Sequence, residues 1–296
     1  MKIDLSSLVN KPISVVCNDA GAANLIIHFL KHTKTNYLKP YMEGPAAKIW
    51  NDIFPKTPIM KSLDHAINKS EIIITGTGWQ TDLEFNARLK ASKKNIWSIA
   101  VIDHWVNYEN RFTRKKITVL PDEIWVFDKY AQKIANDSFL NTNVMLKKNY
   151  YLNSMVKLSK KNSQLKEHIL LYLTEPIRDK WAKDIDGEFQ ALNFFFDNIE
   201  KLKLPDKYQL VVRLHPSEKI SKYNQWFKNR GLKFILDANK DISTSIGKAA
   251  WVVGCQTYAM VIAIESGKKV YSSLPPWAPN CLLPHKEIIH LKKLSS

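Results

Sequence analysis

Short apolar runs alternate with amphipathic stretches along most of the 296-residue chain. In the first half, Ile13–Cys17, Glu71–Thr75, Ile96–Ile102 and Glu123–Phe127 are largely unbroken apolar runs of strand length. That pattern marks strands buried on both faces rather than strands with one wet side. Ala22–Lys31, Asp82–Lys93 and Lys129–Asn136 lie between them with helix-like spacing of apolar positions. Residues 154–166 (Ser-Met-Val-Lys-Leu-Ser-Lys-Lys-Asn-Ser-Gln-Leu-Lys) break this rhythm. They are polar and lysine-rich, and predict an interdomain linker.

The alternation then restarts. Strands are predicted at 167–173, 208–214, 233–236, 249–253 and 269–271, with helices at 187–202, 222–229, 242–248 and 258–266. Strand–helix alternation implies βαβ units and parallel sheets. The expected fold class is therefore α/β, with two Rossmann-like lobes facing a cleft. Residues 1–153 would form the first lobe, 154–166 the linker and 167–296 the second. The proline- and aromatic-rich run Leu274–Pro284 is expected to pack back toward the first lobe.

Composition narrows the setting. A hydrophobic content of 45% and a charged content of 24% are ordinary for a globular chain. No apolar run approaches the roughly 18–20 residues that span a bilayer, and the first residues lack a secretory pattern. Three widely spaced cysteines, Cys17, Cys255 and Cys281, predict neither a disulfide framework nor a zinc site. A cytoplasmic location is expected, with peripheral contact to the inner face of an anionic plasma membrane as an option. The net charge of +16 favours anionic partners. It is spread over both halves, with 21 Lys/Arg against 14 Asp/Glu in residues 1–153 and 23 against 14 in the rest. A nucleic-acid-binding module would show basic residues clustered with aromatics, so no nucleic-acid partner is expected.

Candidate chemistry gathers at strand ends. Arg213-Leu214-His215-Pro216 closes an apolar strand with a cation, an imidazole and a stiffened backbone, a combination suited to a phosphate or carboxylate. The alternatives are an internal ion pair for Arg213 and a buried imidazole for His215. Gly254-Cys255-Gln256-Thr257 opens a helix whose free amides and hydroxyl form a phosphate seat. Thr257 reads equally as a helix cap. Glu265, two turns on, could face the base or ribose, or be a surface residue before the Gly267 stop. Thr174 and Glu175, at the first turn of the second lobe, are also placed at the nucleotide.

In the first lobe, Asn18-Asp19-Ala20-Gly21 follows the first strand. It offers Asp19 as a carboxylate at the sheet edge or as a plain N-cap. A single glycine there does not make a dinucleotide fingerprint. Asp103-His104-Trp105 ends another strand and supplies a candidate general base. Thr77, Trp79, Gln80, His104, Trp105 and Tyr108 are candidate acceptor-pocket residues. No metal-ligand cluster and no bound cofactor are expected.

Arg-Leu-His-Pro after a strand, Gly-x-x-Thr opening a helix, and that helix ending in Glu-Ser-Gly-Lys together resemble GT-B glycosyltransferases. The His-Pro element is similar to that of bacterial transferases using CMP-activated nonulosonic or ulosonic acids: sialyl-, pseudaminyl- and Kdo-transferases. The resemblance implies that His215 and Pro216 contact CMP and that Gln256 and Thr257 hold its phosphate. It also implies that a first-lobe carboxylate, Asp103 before Asp19, deprotonates the hydroxyl of a glycan or lipid-linked glycan acceptor. Thr257 stands where sialyltransferases often have serine, and Asp103-His104-Trp105 replaces their Asp-Asp-Gly or Glu-Asp-Gly. The alternatives are a UDP-sugar transferase or 2-epimerase relative, or a CDP-polyol-phosphate transferase, in which His-Pro also occurs.

Overall fold

Every strand of the two large sheets runs parallel to its neighbours. The computed structural model describes residues 11–79, 81–163 and 168–294. The chain divides into two compact units, Met1–Tyr151 and Leu152–Ser296.

In the first unit the elements run β1 (Ile13–Cys17), α1 (Ala20–Thr33), β2 (Leu38–Met42), α2 (Gly44–Ile53), α3 (Leu63–Ile67), β3 (Ile72–Thr75), α4 (Leu83–Lys93) and β4 (Trp97–Val101). After β4 come a small antiparallel pair, β5 (Thr113–Arg114) and β6 (Ile117–Thr118), then β7 (Glu123–Val126), α5 (Lys129–Ser138) and β8 (Asn143–Leu146). The sheet order is β2-β1-β3-β4-β7-β8. β1, β3 and β7 are buried at every position, which is why they read as unbroken apolar runs. Trp50 and Trp125 are among the largest fully buried side chains, and truncating either would cost roughly 3–5 kcal/mol.

β2 was not predicted. Its sequence Leu-Lys-Pro-Tyr-Met alternates buried and half-buried positions, and Pro40 argues against a strand. The strand lies at the sheet edge, where proline's missing N–H costs least.

α6 (Tyr150–Lys161) takes in the first part of the predicted linker, whose residues 164–166 lie outside the described residues. Its lysines face outward while its other side is engaged. Tyr150 and Tyr151 pack on the first unit's core, with the Tyr150 ring stacked 3.7 Å from that of His32. Further along, Met155 accepts from the Ser243 hydroxyl and the Ser159 carbonyl lies against Gly247.

The second unit continues with β9 (Ile169–Leu173), α7 (Gly187–Asp197), β10 (Gln209–Arg213), α8 (Ile220–Asn229), β11 (Ile235–Leu236), α9 (Ile242–Lys248), β12 (Trp251–Gly254), α10 (Tyr258–Glu265), β13 (Lys269–Ser272) and β14 (Ile289–His290). The sheet order is β11-β10-β9-β12-β13-β14. Residues 274–291 stay with this unit. Leu274 and Ala278 pack around Ala191 and Cys255, Trp277 Nε1 donates to Gln190, and β14 extends the sheet. Within the second unit this segment packs on α7. No helix among the described residues is long and apolar enough to cross a membrane.

Each sheet has one switch point, where successive crossovers leave in opposite directions and a crevice opens at the carboxyl edge. In the first unit it falls between β1 and β3, and in the second between β9 and β12.

Candidate functional site

At the first switch point three carboxylates converge. Asp19 N-caps α1, its Oδ1 accepting from Ala22 N–H at 2.9 Å, while Oδ2 is buried without a hydrogen-bond partner. The capping and functional readings of Asp19 are thus compatible. Burial first, and the nearby Asp103 second, push its carboxyl up to about 7. Asp103, at the end of β4, is paired with Arg111 Nη1 at 2.9 Å. Its Oδ2 lies against Gly21 in the first turn of α1. Gly78 is also close to the crevice: a methyl group on it would lie 3.0 Å from Asp19 Oδ2.

Glu84, on α4, is the third carboxylate, and the sequence reading missed it. It is fully buried, accepts from Asn18 N–H at 2.8 Å through Oε1, and leaves Oε2 without a partner. Burial raises its pKa. Glu84 and Arg88 have the i,i+4 spacing of an exposed helix pair, which is why they looked like surface residues. Arg88 is also buried, donating to Thr75 Oγ1 and to the carbonyls of Gly76 and Arg111. Burial pulls its pKa down to about 10. Cys17, Asp19 and Glu84 each offer one donor atom, all within 4.8 Å of one another, so this group has the spacing to hold a cation.

The acceptor candidates separate. Thr77 is fully buried and structural, donating to Val101 O and accepting from Arg111. Trp79 is 48% exposed and lies under the Arg111 guanidinium at 4.9 Å. Gln80 lies outside the described residues. His104 accepts the Trp105 N–H at Nδ1, leaving the proton on Nε2, and burial lowers its pKa. Trp105 and Tyr108 are buried rather than presented as stacking platforms. Trp105 Nε1 donates to the Asp128 carboxylate, and Tyr108 OH donates to Ala131 O. Both nevertheless line a cavity of about 340 Å³ together with Asn107, Glu109 and Asn110.

At the carboxyl edge of the second sheet, Thr174 Oγ1 accepts the His215 N–H at 3.0 Å and so ties the end of β9 to the turn after β10. His215 Nδ1 lies 2.8 Å from the Ser217 hydroxyl and 3.2 Å from the Ser217 N–H; with Nδ1 accepting the latter, the ring proton is on Nε2. No described residue pairs with Nε2. Burial lowers the pKa of His215, against the pull of Glu218, so the neutral imidazole presents one N–H donor. Pro216 follows, exposed, and stiffens the turn.

Three candidates at this edge are engaged within the protein or lie away from it. Arg213 is an internal ion-pair partner: Nη1 meets Asp237 Oδ2 at 2.5 Å and also donates to Asn239 O and Ser245 Oγ. Asp237 is pushed up by burial, but hydrogen bonds from Ser245 and Arg213 hold it below its ordinary value. Glu265 ends α10. That helix starts at the carboxyl edge and returns to the amino edge before β13, so Glu265 lies at the wrong end for a nucleotide. The amides of Cys255 and Gln256 are not free. They donate to the Glu175 carboxylate at 2.6 and 2.9 Å, so Glu175 occupies the seat predicted for a phosphate. Thr257 caps α10 with its side chain, accepting from Ala259 N–H.

A buried ionic cluster under the His-Pro turn was also missed. Glu218 accepts from Arg178, Lys222 and Tyr223 OH, and Glu188 accepts from Arg178 and Lys222. These residues run from Arg178 to Tyr223, so no local spacing links them.

Two solved structures share this architecture. UDP-GlcNAc 2-epimerase from Methanocaldococcus jannaschii superposes with a TM-score of 0.61 at 12% identity, over 95% of this chain and 90% of that one. The Neisseria meningitidis enzyme bound to UDP-GlcNAc gives 0.59 at 12% identity, over 88% and 82%. The fold is of the GT-B type. At this identity the likeness extends to the fold and not to the activity. No protein-family model matches the chain, and no curated protein matches it in sequence. In this GT-B chain each Rossmann-like unit contributes one switch-point cluster, acidic in the first and centred on Glu175 and His215 in the second.

Proposed function

We propose that the protein is a nucleotide-sugar-dependent glycosyltransferase, and within that class one that uses a CMP-activated nonulosonic or ulosonic acid. The observation that carries the reading is the Asp19–Asp103 pair at the first switch point. Asp103 is held by a cation, and Asp19 is pushed toward its neutral form. A carboxyl raised by burial beside one paired with a guanidinium suits an acid and a base in a single crevice.

Transfer would be a direct displacement. The acceptor oxygen forms a bond to the anomeric carbon as the bond to the donor phosphate breaks, and the hydroxyl proton passes to Asp103. In the second unit, His215 is the proposed donor to a phosphate oxygen of the nucleotide. The cavity beside Trp105 and Tyr108 is the proposed acceptor subsite, for a glycan or lipid-linked glycan. The basic surface would draw anionic donors, and membrane-linked acceptors at an anionic inner leaflet. The transfer is proposed to be metal-independent, so chelator should leave its rate unchanged.

A second reading, a UDP-sugar 2-epimerase relative, is favoured by the fold neighbours and by the third carboxylate, Glu84. Calorimetric titration with CMP, CDP, UMP and UDP, on wild type and His215→Ala, separates the readings. CMP preference weakened about tenfold in the variant supports CMP-sugar transfer. UDP preference favours the epimerase relative, and CDP preference a polyol-phosphate transferase. Absence of nucleotide binding would overturn the transferase reading.

A further inference from the structure

The second switch point lies between β9 and β12, and Glu175 bridges it. The residue directly follows Thr174 at the end of β9, and its carboxylate reaches across to the turn after β12. Oε1 accepts from Cys255 N–H at 2.6 Å and from Gln256 N–H at 2.9 Å, and Oε2 takes the Gln256 N–H at 3.1 Å. Burial pushes the Glu175 carboxyl up to about 7, against the pull of the Gln256, Cys255 and Thr257 amides. Gly254 makes room for this arrangement: a methyl group on its Cα would lie 3.1 Å from Met260 Sδ and 3.3 Å from Glu175 Oε1.

Successive main-chain N–H groups at a helix start attract anions, and a phosphate needs several of them. Here that donor set is already occupied by an internal carboxyl group. Among the described residues no cation pairs with Glu175. The titratable groups that face it are Tyr172, Cys255 and Cys281. A second anion arriving at the same amides would find no free N–H and a carboxylate in its path. At the neighbouring turn the His215 imidazole offers a hydrogen-bond donor to one phosphate group.

We propose that Glu175 makes the second unit selective for nucleoside monophosphates over diphosphates, because its carboxylate fills the amide seat that a second phosphate requires. The proposal rests on the nucleotide-binding reading above and names the donor class of that site.

The test compares wild type with Glu175→Ala and Glu175→Gln by titration with CMP and CDP, and by melting temperature in inorganic pyrophosphate. Wild type should bind CMP at least about tenfold more tightly than CDP, and Glu175→Ala should narrow the ratio to about threefold or less by strengthening CDP. Glu175→Gln, which keeps the shape and loses the charge, should fall between them and covers the case in which the alanine variant does not fold. Pyrophosphate should raise the melting temperature of Glu175→Ala and not that of wild type. Equal wild-type affinities, or a ratio that neither variant moves, would overturn the proposal while leaving nucleotide binding intact. If no nucleotide binds, the donor-class proposal falls with the nucleotide reading. Pyrophosphate stabilisation of Glu175→Ala alone would then still show that the filled seat is an anion site.

Discussion

Gly21 and Asp103 are in direct contact: a methyl group on the Gly21 Cα would lie 2.0 Å from Asp103 Oδ2. The residues are far apart in sequence and meet because β1 and β4 flank β3 at the same sheet edge. Alanine is the better helix former, so Gly21→Ala should leave α1 intact. It should instead displace Asp103 and lower the transfer rate by at least about tenfold. Rate measurement beside circular dichroism checks this. An unchanged rate in a folded variant would mean that the position of Asp103 does not matter to the chemistry.

Asp103→Asn removes the proposed base and keeps its shape. The transfer rate should drop by about 10³-fold, within the range for losing a general base, with CMP affinity unchanged. Steady-state kinetics and calorimetry together decide it. A loss of affinity without loss of rate would move Asp103 from base to binding group.

The raised carboxyl of Asp19 makes stability depend on pH. In the native protein it titrates near 7, against an ordinary 3.8. Between those values the folded chain holds a proton that the unfolded chain has released, so stability falls as pH rises through the window. Its contribution is complete below about pH 4 and lost above about pH 7. Asp19→Asn keeps an oxygen to cap α1 and cannot ionise. Urea unfolding should show the variant gaining on wild type from pH 4 to pH 8. A constant difference across that range would mean that Asp19 ionises normally.

Arg213→Ala leaves the buried carboxylate of Asp237 without its cation. The cost in unfolding free energy should be roughly 3 kcal/mol, typical of breaking a buried pair, while the folded protein binds CMP as before. Chemical denaturation and calorimetry give both quantities. Unchanged stability with a tenfold loss of CMP affinity would return Arg213 to the phosphate.

The alternation of buried strands and helices made the parallel architecture legible, because double-sided burial writes unbroken apolar runs such as Ile72–Thr75. The strands that went unread are peripheral. β2 contains Pro40, β8 is only partly buried, and β14 has two residues. α6 was hidden because three of its last five residues are lysine while a few contacts hold it. Strand ends correctly marked Asp19, Asp103 and His215 as residues of the carboxyl edges. Their neighbours were not readable. Glu84 and Arg88 wear a surface spacing, and whether an amide is free or already bonded, as at Gln256, depends on a residue about eighty positions away. Local sequence states what a turn offers but not what has already accepted it.

The Glu175 bridge also bears on how such a protein could diverge. Glutamate codons become glycine or alanine codons by a single base change. Because β9, β12 and the α10 cap all lie outside that codon, the substitution would open the amide seat without rebuilding the sheet. A shift from one class of activated donor to another would then lie one mutational step away, and chains of this architecture with small residues at this position are where to look for diphosphate users.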